Sequence, residues 1–193
     1  MSKKILIIDA HPDKSSLCCS LADSYLEKSS AAGFDVQKLS LRDLEFDLNL
    51  KHGYRIIQEL EPDLIKSQKL IKWCEHLVII YPMWWGMVPA LLKGFLDRCW
   101  LPGFAFKYHE NDPFWDRLLS GRSARIIVTS DAPYFYNLFA YLNAPYRIMK
   151  KTILGFCGFK PVKLTAIGNV KNMKEDKIKK VINEIGHLGL LGK

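Results

Sequence analysis

The sequence predicts an α/β fold: a doubly wound, five-stranded parallel sheet in a three-layer α/β/α arrangement. Three observations carry this reading. Five short apolar runs recur along the 193 residues. Segments with apolar residues at helical spacing separate them. The runs KILIID and HLVIIY are almost continuously apolar, as strands covered on both faces of a parallel sheet are. Parallel neighbours need crossover connections, which are right-handed. The length suits one domain, residues 1–193, with a sizeable core.

The elements follow in order. Lys4–Asp9 is the first strand; the opening MSKKILIIDA has the lysines and apolar run of a leader, but the run is too short for one. Leu17, Leu21, Tyr25 and Leu26 share one face of a helix from Ser16 to about Ser30. Phe34–Leu39 alternates as strand two. Arg42–Gln58 is poorly periodic and reads as a long connection with a short helix. Pro62 suits a first helical turn and opens a helix to Trp73 or Cys74. His76–Tyr81 is strand three. Val88, Leu91, Leu92, Phe95, Leu96 and Cys99 recur every three or four residues, an amphipathic helix. Arg125–Thr129 is strand four, Ala144–Phe156 a helix and Val162–Ile167 strand five. Ile178, Val181, Ile182, Ile185 and Leu188 mark a last helix that ends at Gly189.

Composition narrows the function. No apolar run approaches the roughly 20 residues that a membrane helix needs, so the chain is not expected to be embedded in a bilayer. The five cysteines are odd in number and contain no CxxC, which points to free thiols in a cytoplasmic setting. The histidines are scattered, so no metal site is expected. The formal charge is +8, but the positive residues are spread out and no nucleic-acid motif accompanies them. A phosphorylated dinucleotide is an equally physical partner for a basic surface.

In an open parallel sheet, ligands sit outside the carboxyl ends of the strands. Three loops therefore matter. The first, Asp9 to Ser16, continues into Leu17 and Cys18. It has neither GxGxxG nor a P-loop glycine pattern. It offers His11, Ser16 and the first-turn N–H groups of a helix, which attract phosphate; the same serine also reads as an ordinary helix cap. The second is Pro82-Met83-Trp84-Trp85-Gly86. Adjacent exposed tryptophans mark a ligand or contact surface; they would pack a planar ring such as a flavin, or simply close a core turn. The third begins Thr129-Ser130-Asp131, with hydroxyls and a carboxylate for a heterocycle edge, and continues to Tyr134 and Tyr136, which would wall a substrate pocket. Its plain reading is a polar turn with core aromatics. Asp97 and Arg98 read as a pair on a helix surface or at an interface.

These segments together resemble one family. His11-Pro12 with Ser16-Leu17, then Pro82-Met83-Trp84-Trp85 followed by Val88-Pro89-Ala90-Leu91-Leu92-Lys93-Gly94-Phe95, are similar to the phosphate loop, flavin loop and following helix of the NAD(P)H:quinone reductase and modulator-of-drug-activity proteins, in their short bacterial form. Gly103-Phe104-Ala105-Phe106 and Phe156-Cys157-Gly158-Phe159 extend the likeness, with the cysteine in a structural role. The resemblance implies a flavodoxin-like fold, non-covalent FMN or FAD, NADH or NADPH as co-substrate, a homodimer, and ping-pong hydride transfer to a quinone-like acceptor. It implies cofactor contacts from His11, Ser16, Leu17, Cys18, Pro82, Met83, Trp84, Trp85, Gly86, Thr129, Ser130 and Asp131, with Tyr134 and Tyr136 as candidates for the catalytic tyrosine. Cys18 stands where the family often has asparagine, and Asp131-Ala132-Pro133 replaces a glycine-rich turn. The resemblance also extends to ancillary subunits of potassium efflux systems, so the alternative expectation is a flavin-binding regulatory subunit that docks peripherally on a membrane transporter.

Overall fold

The computed structural model of the chain describes residues 2–193. Its main sheet contains β1 (Lys4–Asp9), β2 (Asp35–Ser40), β3 (His76–Pro82), β6 (Ser123–Thr129) and β7 (Val162–Ile167). Every pairing is parallel, in the spatial order β2-β1-β3-β6-β7. Numbering these five strands alone gives 2-1-3-4-5, the expected doubly wound order. The switch point lies between β1 and β3, where the chain reverses the direction in which it adds strands.

The strand period of two sorts side chains onto two cores. Ile5 and Ile7 of β1, with Val78, Ile80 and Ile127, face α1 (Leu17–Ala31) and α6 (Glu175–Leu190). Leu6 and Ile8, with Leu77, Ile79 and Tyr81, face the other layer. That layer contains α2 (Pro62–Trp73), α3 (Ala90–Cys99) and α5 (Ala144–Arg147), which continues as a π-helix over Ile148–Gly155. All seven residues of β3 are buried, which explains why HLVIIYP shows no polar alternation. Each such side chain is worth roughly 1.5–3 kcal/mol of burial.

Four segments depart from expectation. Arg42–Gln58 contains no regular helix; a three-residue 3₁₀ turn, Leu41–Asp43, precedes a long irregular strap. Side chains take the backbone donors a helix would have used: Glu45 N–H donates to Asp63 and Asp47 N–H to Glu61, both at the start of α2, and Lys51 N–H to Gln58. A small antiparallel hairpin, β4 (Phe106–Tyr108) with β5 (Trp115–Arg117), was too short to read from pattern. Beyond Pro133 the third loop becomes a helix, α4 (Tyr134–Tyr141), stopped by left-handed Leu142 and Asn143. Asp97 and Arg98 do not form a surface pair. Asp97 binds Lys93, whereas Arg98 is 1% exposed and grips Glu61 and the Glu59 carbonyl, pinning the strap against α3.

Helices α1 and α6 pack through a close approach at Gly189. A Cβ there would lie 2.5 Å from the Tyr25 carbonyl oxygen, a backbone atom that cannot swing aside. Gly189→Ala gains helix propensity, about 1 kcal/mol, but overpacks this contact at a cost of about 1–3 kcal/mol. The expected result is a lower denaturation midpoint, measured by urea titration with circular dichroism.

Candidate functional site

The carboxyl ends of the strands converge on a cleft of about 310 Å³. His11, Ser16, Leu17, Cys18, Pro82, Met83, Trp84, Thr129, Ser130 and Asp131 all line it, so the three loops meet in one place. Asp13 and Val170 complete the wall.

The first loop is shaped by its own polar side chains. Asp13 accepts from Ser15 N–H at 2.8 Å, and His11 Nδ1 accepts from Asp13 N–H at 2.9 Å. Ser16 caps α1, its Oγ accepting from Cys19 N–H at 3.2 Å. That leaves Leu17 and Cys18, the first two helical residues, with N–H groups that have no intrahelical acceptor. Such donors at the positive end of a helix dipole form an anion seat.

Asp9 anchors the loop from below. Its side chain is 0% exposed. Arg42, just past β2, donates to Asp9 Oδ2 at 2.6 Å and to the His11 carbonyl at 3.1 Å. Its other nitrogen reaches Cys19 Sγ and Ser40 Oγ, both at 3.4 Å. Burial opposes the charge on Arg42, but the hydrogen bond and charge of Asp9 more than offset it and raise the guanidinium pKa. The Cys18 thiol lies 3.3 Å from Thr129 Oγ1. Burial pushes its pKa up to about 12, so Cys18 is a neutral thiol at the floor of the cleft and not a nucleophile.

The second loop leaves β3 through Met83, whose N–H donates to the Thr129 carbonyl at 2.7 Å. Trp84 and Met87 exchange both backbone hydrogen bonds, at 3.0 and 2.9 Å. Trp85 and Gly86 between them have φ of 52° and 69°, a two-residue type I′ turn. A left-handed conformation suits Gly86 and costs Trp85 about 1–2 kcal/mol. The turn separates the two indoles. Trp84 packs edge-on against His11, centroids 5.6 Å apart, and lines the cleft. Trp85 is fully exposed; neither it nor Gly86 lines the cleft.

On the far wall, Ser130 N–H donates to Ile167 and Val170 N–H to Ser130, while Asp131 accepts from Lys171 N–H at 2.9 Å. The third loop is thus stitched to the turn after β7. Tyr134 and Tyr136 stand on the first turn of α4, outside the cleft lining; Tyr134 stacks on Tyr146 and Tyr136 meets Tyr141 edge-on. Arg42, Asp13 and Val170 were not singled out from sequence. The rule that picked three strand ends applies equally to β2 and β7, and would have pointed to Arg42 and Val170. Among the described residues, no group of three or more His, Cys, Asp or Glu side chains is placed to hold a metal ion, and no helix is long and apolar enough to cross a membrane.

Helix N–H donors beside an aromatic wall, at the switch point of an open parallel sheet, lie where ligands sit in α/β proteins of this class. The chain belongs to the flavodoxin-like fold family, whose model matches residues 3–188. It is 27% identical over 187 residues to an uncharacterized NAD(P)H oxidoreductase of Haemophilus influenzae, covering 93% of this chain and 90% of that protein. It is 25% identical over 183 residues to the NAD(P)H dehydrogenase (quinone) 1 of Cavia porcellus, covering 81% of this chain but 65% of the relative, so it spans less than two thirds of that length. Among solved structures, Smu.1420 from Streptococcus mutans UA159 superposes with a TM-score of 0.78 at 29% identity, covering 97% of this chain and 98% of the other.

The geometry makes Arg42 the support of the first loop. Arg42→Met leaves the Asp9 carboxylate buried and unpaired, a loss of about 3–5 kcal/mol. The expected outcome is a large drop in denaturation midpoint, partly restored in the Asp9→Asn/Arg42→Met double variant, which removes the orphaned charge.

Proposed function

We propose that this chain is a cytoplasmic flavin-dependent NAD(P)H oxidoreductase, transferring two electrons as hydride to quinone-like acceptors in a ping-pong cycle. The observation that carries the reading is the composition of one cleft: helix N–H donors at one end, an indole and a thioether at another, hydroxyls on the far wall. That donor set fits FMN or FAD, which share a ring and a first phosphate. The names of the relatives in Haemophilus influenzae and Cavia porcellus support the activity. The five buried, free cysteines suit a reducing compartment.

Bound flavin would supply the redox chemistry, taking hydride from NADH or NADPH and giving it to the acceptor. The protein's part is placement. Leu17 and Cys18 N–H groups, with Ser16, would hold phosphate. Trp84, Met83 and Pro82 would pack one side of the ring, and His11 braces Trp84. Thr129, Ser130 and Asp131 would meet its polar edge. The neutral Cys18 thiol leaves no fixed negative charge on the floor, which suits an electron-rich ring. Tyr134 and Tyr136, half-exposed beyond the third loop, are the acceptor-side groups in this proposal.

The same reading includes a homodimer. Phe135, Phe139 and Leu142 of α4 and its stop are 62%, 78% and 70% exposed, and Trp85 lies fully in solvent. An apolar patch of this kind marks a contact surface, and a second copy packed on α4 would cover Tyr134 and Tyr136 as well.

Three experiments test the proposal. Trp84→Ala should weaken flavin binding about tenfold or more, as one lost aromatic contact of about 1.4 kcal/mol implies, whereas Trp85→Ala should leave it within about twofold on the same scale. Flavin absorbance after gel filtration reads both, and chromatography of the released cofactor identifies it. NAD(P)H oxidation with a soluble quinone by the isolated protein supports the enzyme; retained flavin without turnover supports the regulatory alternative. Phe139→Lys should convert the dimer to monomer in analytical ultracentrifugation; a wild type that sediments as a monomer at micromolar concentration removes the dimer.

A further inference from the structure

We infer that the chain carries a second ligand site, a basic cavity that binds a small polyphosphorylated anion. It lies at the opposite pole of the sheet, near the start of β6 and β7. Arg117, Lys150, Lys151 and Lys160 line a cavity of about 700 Å³, and none of its lining residues is acidic. None of the four cations takes part in an ion pair among the described residues. Four like charges around one concavity repel each other, and a polyanion relieves that repulsion.

The backbone is built to bring these groups together. Lys150 and Lys151 are consecutive in the π-helix, whose wide turn depends on Gly155: a Cβ there would lie 2.9 Å from the Lys150 carbonyl oxygen. Gly158, at φ 109°, lets the following turn close on the β5–β6 connection, where a Cβ would meet Ser120 Oγ at 2.5 Å. Both glycines line the cavity, and the close contacts that their missing side chains permit hold the π-helix and the turn after it together around it. Long π-helical runs are rare and frequently sit at functional sites.

Extent selects the ligand class. A membrane headgroup layer or a duplex needs a basic face broader than four side chains. This cavity has a volume within the usual range for small ligands. Lysine ammonium groups supply point charges for phosphate, and the Arg117 guanidinium a fork for paired oxygens. Arg117 also stands 5.5 Å over the Trp115 ring, which fixes its plane. Two or three linked phosphates match four cations better than one phosphate does. β6 separates this pole from the cleft by its seven residues, about 20 Å at strand rise, so the site is independent of the flavin cleft.

The test is calorimetric titration of the full-length chain with inorganic tripolyphosphate at low and moderate salt. The expected result is one ion bound per chain, with affinity falling several-fold as salt rises. Lys150→Gln/Lys151→Gln should weaken binding about tenfold or more, the loss of roughly 1.4 kcal/mol. Lys177→Gln/Lys180→Gln removes the same charge from α6 and should change it by less than about twofold on that scale. Circular dichroism verifies that both variants are folded. No saturable binding, or equal loss in the two variants, would overturn the site. So would binding of RNA or anionic vesicles that tripolyphosphate fails to displace.

Discussion

The ion pair between Asp9 and Arg42 is the constraint on which the cleft rests. The Asp9 carboxylate, at the buried end of β1, has no access to water, and desolvating it alone would cost several kcal/mol. Arg42 answers it from the end of the neighbouring strand, then uses its remaining donors on the His11 carbonyl, Cys19 and Ser40. One guanidinium therefore joins β1, β2, the first loop and the first turn of α1. With that loop held, the helix N-terminus points its unused donors at a fixed place. The placing of those donors is a consequence of that contact.

The rest of the cleft is arranged so that the protein holds its groups still. Its floor is uncharged: Cys18 remains a thiol because burial penalises the thiolate, and Thr129 satisfies it. Its carboxylates, Asp13 and Asp131, are each committed to a backbone N–H. Its walls are tied across loops by main-chain bonds from Met83 to Thr129 and from Val170 to Ser130. Such cross-links give three separate loops the rigidity of one surface, which is what positioning a ligand requires.

Most of this was legible in the sequence because strand and helix periods are local. KILIID and HLVIIY identify themselves, and the doubly wound order is the default for a chain of this length. The cleft loops were legible because their position after a strand, and not their composition, marks them. Arg42 follows β2, a strand end that the same rule reaches, but its role was not legible, since its partner lies 33 residues away. Arg98 misled for the same reason: a charged residue in an amphipathic helix reads as exposed until the strap with Glu61 is folded over it. The strap itself has no period because several of its N–H groups bond to side chains, two of them Glu61 and Asp63 at the start of α2, and to short backbone turns. The helix α4 was hidden by a composition rich in aromatics all round, with no polar face to set a period. The separation of the two indoles is a property of a left-handed turn that no pattern announces.

That turn has an optical consequence. Trp85 stands in bulk water while Trp84 is held against His11 at the mouth of the cleft, so two adjacent chromophores occupy environments of different polarity. Their emission bands should differ in wavelength, the hydrated indole to the red. Of the chain's five tryptophans, these two are placed to respond, one to what enters the cleft and the other to what covers its rim.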